Sequence, residues 1–366
     1  MLHYPTLNLY LYDLQEGLGQ SDEEIVFNTQ QFLKKLPENT QLLENELGED
    51  YFELAQNRSI PLPKIAEFNT DDGYYYPVQL HDSYGLLVNC SLAGDFDAQD
   101  LTWLKALQRF IAQAVNNLAG TLGQTWIFSA YVENLPNDDA FIKNCCQILS
   151  SGKLFKTMRW NDKIIYEISD PHTIVIFYTN QQALKQENAY FTDWLYLLFY
   201  RHKISWAYQQ SRQLAKQLKQ NTKHIRAHES NLSQNIHDLE ATQLQDILHS
   251  LQFNLSYTAD LKNLDAQART IQTNLDNYQQ RLTKLSQKMG HELHLFAYFH
   301  ELAQKKYLVQ IEHDYAGFKT EAEQLTKLVA LVQTSQAIKN SGDIYIGGNV
   351  SDSSLNTGSG VKQFTG

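Results

Sequence analysis

Cysteine is scarce in this chain. Cys90, Cys145 and Cys146 are the whole supply, too few for a disulfide framework, and the vicinal pair has no second pair or neighbouring histidine to complete a zinc site. They read as small buried hydrophobes. Long apolar runs are missing too: the longest, WLYLLFY at 194–200, falls far short of the roughly 18 to 20 residues a membrane helix needs. The opening stretch MLHYPTLNLYLYDLQEGLGQ carries neither a basic leader nor a small-residue cleavage site, which predicts a soluble, cytoplasmic protein without a transmembrane segment. Basic charge is lacking where nucleic acid would want it. Residues 1–200 hold 12 basic and 26 acidic side chains, against 17 and 13 in residues 201–340, for a net charge of −11. The first part repels phosphate backbones and the second is too weakly positive to form a nucleic-acid groove, so no nucleic-acid partner is expected.

What is present suits a folded chain of 366 residues, 43% hydrophobic and 12% aromatic, long enough for two domains. Leu7, Leu9 and Leu11 alternate with Asn8, Tyr10 and Tyr12, the period of a strand. After a Gly17 to Gly19 turn, Ser21 and Glu24 stand at capping-box spacing, Ile25, Phe32, Leu33 and Leu36 share a helical face, and Pro37 stops the helix. TQLLENELGEDYFELAQ (40–56) reads as a second helix. YYYPVQLHDSYGLLVNCSL predicts two strands around a His81 to Gly85 turn, with Pro77 favouring an edge. A helix over about 98–118, the strand TWIFSAYV and the hairpin IIYEISDPHTIVIFYT, turning at Asp170-Pro171, bring the total to about six strands among helices. The expectation is an α/β domain with a mixed sheet over residues 1–190.

From Tyr190 the period becomes helical. Leu261, Leu264, Ala268, Ile271, Leu275, Tyr278, Leu282, Leu285 and Met289 alternate spacings of three and four, four heptads of a coiled-coil-like seam. Leu218, Ile225, Leu232 and Leu239 recur every seven residues and supply a facing stripe. An antiparallel hairpin reversing near His249 to Ser256 satisfies both, Gly290 breaks the seam, and a last helix runs from about Glu292 to Lys339. The 19 glutamines of residues 201–340 suit solvated faces. Residues 191–340 therefore form a long antiparallel helical domain, and 341–366 a flexible Gly/Ser/Asn-rich, β-prone tail.

No catalytic, cofactor or metal set is assigned. EGLGQSDEE places glycines between strand and helix, where phosphates often bind; it lacks a third glycine and a P-loop Lys-Ser/Thr, and Asp22, Glu23 and Glu24 would repel the anion. His291, Glu292 and His294 lack the H-E-x-x-H spacing, and His300 lies on the far side of the helix. His224 and His228 share a face among Lys223 and Arg226, as on a solvated surface. Tyr74, Tyr75 and Tyr76 alternate between sheet faces, which suits half-buried strand residues better than a base-stacking platform.

Two resemblances bear on function. The order of elements, a mixed α/β domain followed by a long helical hairpin and a final long helix, is similar in layout to the cytoplasmic part of CorA-type divalent-cation channels. The Gly-Met-Asn motif of that family is absent, so transport does not carry over. GDIYIGGNVSDSSLNTGSG (342–360) resembles the short segments attached to signalling proteins of bacterial conflict systems, and its IYIGGNV core resembles the centre of RHIM-like amyloid signalling motifs. Ile344 and Ile346 share a strand face, Gly347 and Gly348 allow a turn, and Asn349 and Asn356 can ladder on stacking. The resemblance implies interaction through Ile344, Tyr345, Ile346, Gly347, Gly348, Asn349, Val350 and Leu355, with a similar tail on a partner or with another copy of the chain. Composition alone favours a disordered end, and it is the spacing of the β-branched residues that points to strand pairing. The leading expectation is a non-enzymatic signalling or adaptor protein of a bacterial defence system. The alternatives are a CorA-like regulatory module binding a cation or small ligand in its acidic domain, and a hydrolase whose carboxylates are not evident from sequence.

Overall fold

A computed structural model of the chain describes residues 1–366 apart from 18, 38–39, 45–48, 56–59, 62–69, 98–99, 134–138, 150–153, 161, 170, 236–241 and 343–366. The strands are β1 (Leu2–Leu14), β2 (Tyr51–Glu53), β3 (Ile60–Pro61), β4 (Thr70–Leu80), β5 (Ser83–Leu92), β6 (Asp95–Phe96), β7 (Gly123–Val132), β8 (Leu154–Arg159), β9 (Lys163–Ile168) and β10 (Thr173–Tyr178). The helices are α1 (Asp22–Leu33), α2 (Thr102–Ala114), α3 (Asp139–Leu149), α4 (Gln181–Glu187), α5 (Phe191–Asn235), α6 (Thr242–Met289), α7 (His294–Leu302) and α8 (Val309–Gly342). A π-helical segment, Ala303–Leu308, joins the last two.

The strands form one mixed sheet in the order β2-β4-β5-β1-β7-β10-β9-β8, with β3 also on β4 and β6 on β1. Only the β7–β10 pair is parallel among these pairings. That pair needs a crossover, and the connection contains α3 together with β8 and β9. One face carries Leu7, Leu9, Leu11, Val88, Trp126, Phe128, Val175 and Phe177, which share a buried cluster with Trp103, Leu104, Leu107 and Ile111 of α2. Alternation sends Tyr12, Thr125, Ile127, Ile174 and Ile176 to the other face. There the Tyr12 hydroxyl donates to the Leu195 carbonyl of α5 at 2.7 Å. Both faces are covered, which is why KIIYEI and TIVIFY are buried at every position.

Local chemistry explains several boundaries. Ser21 and Glu24 form the reciprocal capping box, and His81, with φ 53°, turns the β4–β5 hairpin in two residues. Pro77 lies one strand in from the edge. Its carbonyl accepts from the Leu54 amide at 3.0 Å, and the return bond that its missing N–H cannot make is replaced by the Leu43 amide, which donates to the Leu54 carbonyl at 3.1 Å. Gly290, with φ 69°, ends α6, and the His291 amide returns to the Ser286 carbonyl.

Other expectations are corrected. The helix expected over 40–56 is not formed by its described residues: Leu42 bridges Ala55, and Tyr51 to Glu53 are strand β2. The Tyr51 hydroxyl bonds the Tyr76 hydroxyl at 2.6 Å, so tertiary pairing overrides the helical pattern. The sheet exceeds six strands because the short β2, β3, β6 and β8 offer little periodicity to read. The hairpin does not reverse near His249 to Ser256, which lie inside α6; no Gly or Pro in HSLQFNLS breaks the helix.

By packing, the chain divides into two compact units, one of residues 1–210 and 267–309, the other of residues 211–266 and 310–366. Segments 191–210 and 267–309 thus belong with the sheet: Trp194, Leu195, Leu197, Leu198 and Phe199 are all buried. In the second unit Arg212 pairs with Asp314 at 2.6 Å and Arg226 with Glu321, so α5 and α8 run parallel. Tyr257 of α6 touches Thr222 and the Phe318 carbonyl, both at 3.2 Å. No helix among the described residues is long and apolar enough to cross a membrane.

Candidate functional site

Helix α5 leaves its apolar stretch WLYLLFY with three consecutive polar residues, Arg201, His202 and Lys203. Neighbours on a helix point about 100° apart, so the three splay across the sheet. Arg201 Nη2 reaches Glu167 Oε1 of β9 at 2.6 Å. His202 Nε2 meets Thr125 Oγ1 of β7 at 2.7 Å. Lys203 pairs with Asp82 of the hairpin turn and approaches Ser83 Oγ of β5 at 3.4 Å. One turn of helix is thereby anchored from β5 to β9.

The central part is a chain of hydrogen bonds whose protons can be assigned. Thr125 Oγ1 is also 2.7 Å from His172 Nδ1, and His172 Nε2 is 3.1 Å from Glu167 Oε1. Burial, then the Arg201 charge, pushes His172 down to about 4 against the pull of Glu167. Burial, then His172 and Arg201, holds His202 well below its ordinary value. Both imidazoles are neutral near pH 7. Burial alone would raise the Glu167 carboxyl, but Arg201 and His172 outweigh it and keep it low and ionised. A carboxylate only accepts, so His172 Nε2 carries the proton and Nδ1 accepts from Thr125. The Thr125 oxygen then accepts from the His202 Nε2–H. Gly123 makes room for this: its φ is +140°, and a Cβ there would collide with the His202 ring.

Hydroxyl, imidazole and carboxylate in this order have the connectivity of a nucleophile with its base and orienting acid. Thr125, however, is 0% exposed, so a substrate has no approach to its oxygen in this conformation. What the network does here is fix two tautomers and seat α5. Glu167 Oε2 and Arg201 Nη1 make no hydrogen bond among the described residues, leaving the pair monodentate. The guanidinium also lies 4.2 Å from the Phe299 ring centre.

On the Lys203 side, a cleft of about 350 Å³ opens between the hairpin turn, α5 and α6. Lys203 and Phe199 of α5, the turn residues His81 and Asp82, and Arg269, Thr270, Thr273, Asn274 and Asn277 of α6 line it. This is a concave polar surface with two cations and one carboxylate.

The residues singled out from sequence are placed as follows. Leu261 and Leu264 are buried in the second unit, and Ile271, Leu275, Tyr278, Leu282 and Leu285 in the first; Ala268 and Met289 are partly exposed. Tyr278 donates to the Phe296 carbonyl at 3.1 Å. Ile344, Tyr345, Ile346, Gly347, Gly348, Asn349, Val350 and Leu355 lie outside the described residues, as do the side chains of His224, His228 and Cys146. His291 stacks on Trp160, while His294 and Glu292 are exposed and 3.4 Å apart. Among the described residues no three His, Cys, Asp or Glu side chains come together to hold a metal ion. Tyr75 donates to the Ala114 carbonyl and Tyr76 to Glu53, on opposite faces. Cys90 is buried, and burial pushes its thiol up to about 12. Sequence reading missed the Arg201 to Lys203 anchor, although three charged or titratable residues ending an apolar helical run were a usable signal. No protein-family model matches the chain, and no curated protein matches it.

Proposed function

We propose that this chain is a non-enzymatic signalling or adaptor protein of a bacterial conflict system. Its α/β body docks or senses, a coiled-coil-like antiparallel helical region follows, and the β-prone segment 343–366 recruits a partner or another copy by templated strand pairing. The observation that carries this reading is the sequence pattern IYIGGNV, with Ile344 and Ile346 at the two-residue spacing of a strand face and only Asp343, Asp352 and Lys362 as charges across the segment. The course of α8 supports it. With α8 parallel to α5, Gly342 is 21 residues past Glu321 on the same helix, about 30 Å at 1.5 Å per residue, and segment 343–366 starts there.

The test uses a peptide spanning Ser341 to Gly366 and the full chain. The peptide is expected to form fibrils with a strand repeat of about 4.7 Å, Ile346→Asp to abolish them, and the same substitution in the full chain to leave its melting unchanged while recruitment is lost. A peptide that stays monomeric, together with undiminished recruitment by the Ile346→Asp chain, overturns the reading.

A further inference from the structure

We propose that the cleft beside Lys203 is a binding site for the phosphoryl group of a small ligand, and that the Asp82 carboxylate occupies the anion position until the ligand displaces it.

The two partners of the ion pair differ in burial. The Lys203 side chain is 8% exposed while its partner Asp82 is 43% exposed. The ammonium is therefore fixed in the wall and the carboxylate is free to leave. The turn does not depend on that carboxylate for its shape, because the Gln15 and Glu16 amides both hold the Asp82 backbone carbonyl, at 2.9 and 3.0 Å. Behind the pair, the buried Ser83 Oγ lies 2.9 Å from Asp82 Oδ1 and 3.4 Å from Lys203 Nζ.

The opposite wall is formed by α6. Thr270, Thr273, Asn274 and Asn277 follow the i, i+3, i+4, i+7 spacing of one helical face. Every α6 position after Arg269 that lines the cleft is a short hydroxyl or amide. The Asn274 amide donates to the Thr270 carbonyl at 2.7 Å, which holds its side chain in place. Arg269 supplies a second cation at the rim, with the fork that matches a phosphoryl group. One acid, Asp82, lines the cleft and sits on the buried lysine; a second, Asp50, stands 3.5 Å from the lining His81. A volume of about 350 Å³ is at the small end of ligand pockets, which fits a phosphate with a compact body.

The site lies in the first unit and does not involve segment 343–366, so it stands or falls apart from the recruitment reading. The experiment titrates the full chain at physiological chloride with inorganic phosphate, with glycerol phosphate and with acetate as the carboxylate control, followed by calorimetry. Saturable binding of glycerol phosphate over acetate is expected. If inorganic phosphate binds equally well, the ligand body adds nothing and the site is for the free ion, still a phosphoryl site. Arg269→Gln, at an exposed position, is expected to weaken binding about tenfold, the size of a lost charge-assisted contact, with its melting temperature unchanged from the parent's. Asp82→Asn is expected to tighten it about threefold or more, because the internal competitor is gone. A purely structural Lys203–Asp82 pair would give no such gain. The proposal is overturned if neither parent nor Asp82→Asn saturates below about 10 mM, if Arg269→Gln binds as the parent does, or if Asp82→Asn weakens binding.

Discussion

Thr125→Val isolates the proton-ordered chain beneath α5. Valine has nearly the shape of threonine, so packing against the sheet is kept and only the hydroxyl is lost. Thr125 is fully buried and its oxygen serves two imidazoles at 2.7 Å each. The substitution leaves the His202 Nε2–H without an acceptor and His172 Nδ1 without a donor. Each unsatisfied buried group costs about 1–3 kcal/mol, so the sum is about 2–6 kcal/mol, near the lower half once the easier burial of a methyl group is counted. For a unit of this size each kcal/mol lowers Tm by about 2–4 °C, and a cost of about 3 kcal/mol corresponds to about 6–12 °C. Thr125→Ser keeps the hydroxyl and should cost no more than about a third of that. The assay is thermal unfolding followed by circular dichroism at pH 7.5 for parent, Val and Ser variants. If the Val variant melts within about 2 °C of the Ser variant, the hydroxyl does not bridge the two rings and the tautomer assignment fails.

Two further outcomes follow from the same face of the sheet. Because His172 is held at about 4 in the folded chain against about 6.5 when unfolded, the unfolded state binds a proton that the folded state refuses between those values. Stability should therefore fall as pH drops from about 6.5 towards 4, at up to about 1.4 kcal/mol per pH unit for this one group; urea midpoints at pH 7, 6 and 5 that do not change, or a slope unaltered by His172→Gln, would contradict it. A fragment ending at residue 190 lacks Trp194, Leu195, Leu197, Leu198 and Phe199, all buried, and leaves Tyr12, Ile127 and Ile174 uncovered, so it should aggregate or stay unfolded. A soluble, cooperatively melting 1–190 fragment would show that α5 is dispensable to the sheet.

By itself the sequence determined the elements whose period is strong or whose ends carry local chemistry. The alternation of Leu7, Leu9 and Leu11 announced β1, the Ser21 and Glu24 pair announced α1, and the switch of period near Tyr190 announced the long helices; each depends on residues within a few positions of one another. The mixed sheet was legible for the same reason. Only the tertiary structure decided that both faces of that sheet are covered, because apolar strand residues look alike whichever layer buries them. It also made a strand of Tyr51 to Glu53, whose local pattern is helical but whose partner, Val78 to Leu80, lies more than twenty residues away. The site was the least legible part. Thr125, Glu167, His172 and Arg201 come from three strand regions and one helix, and no spacing rule relates them. Their protons are ordered by burial, which removes the water that would otherwise satisfy each group separately and leaves the other side chains as the only partners.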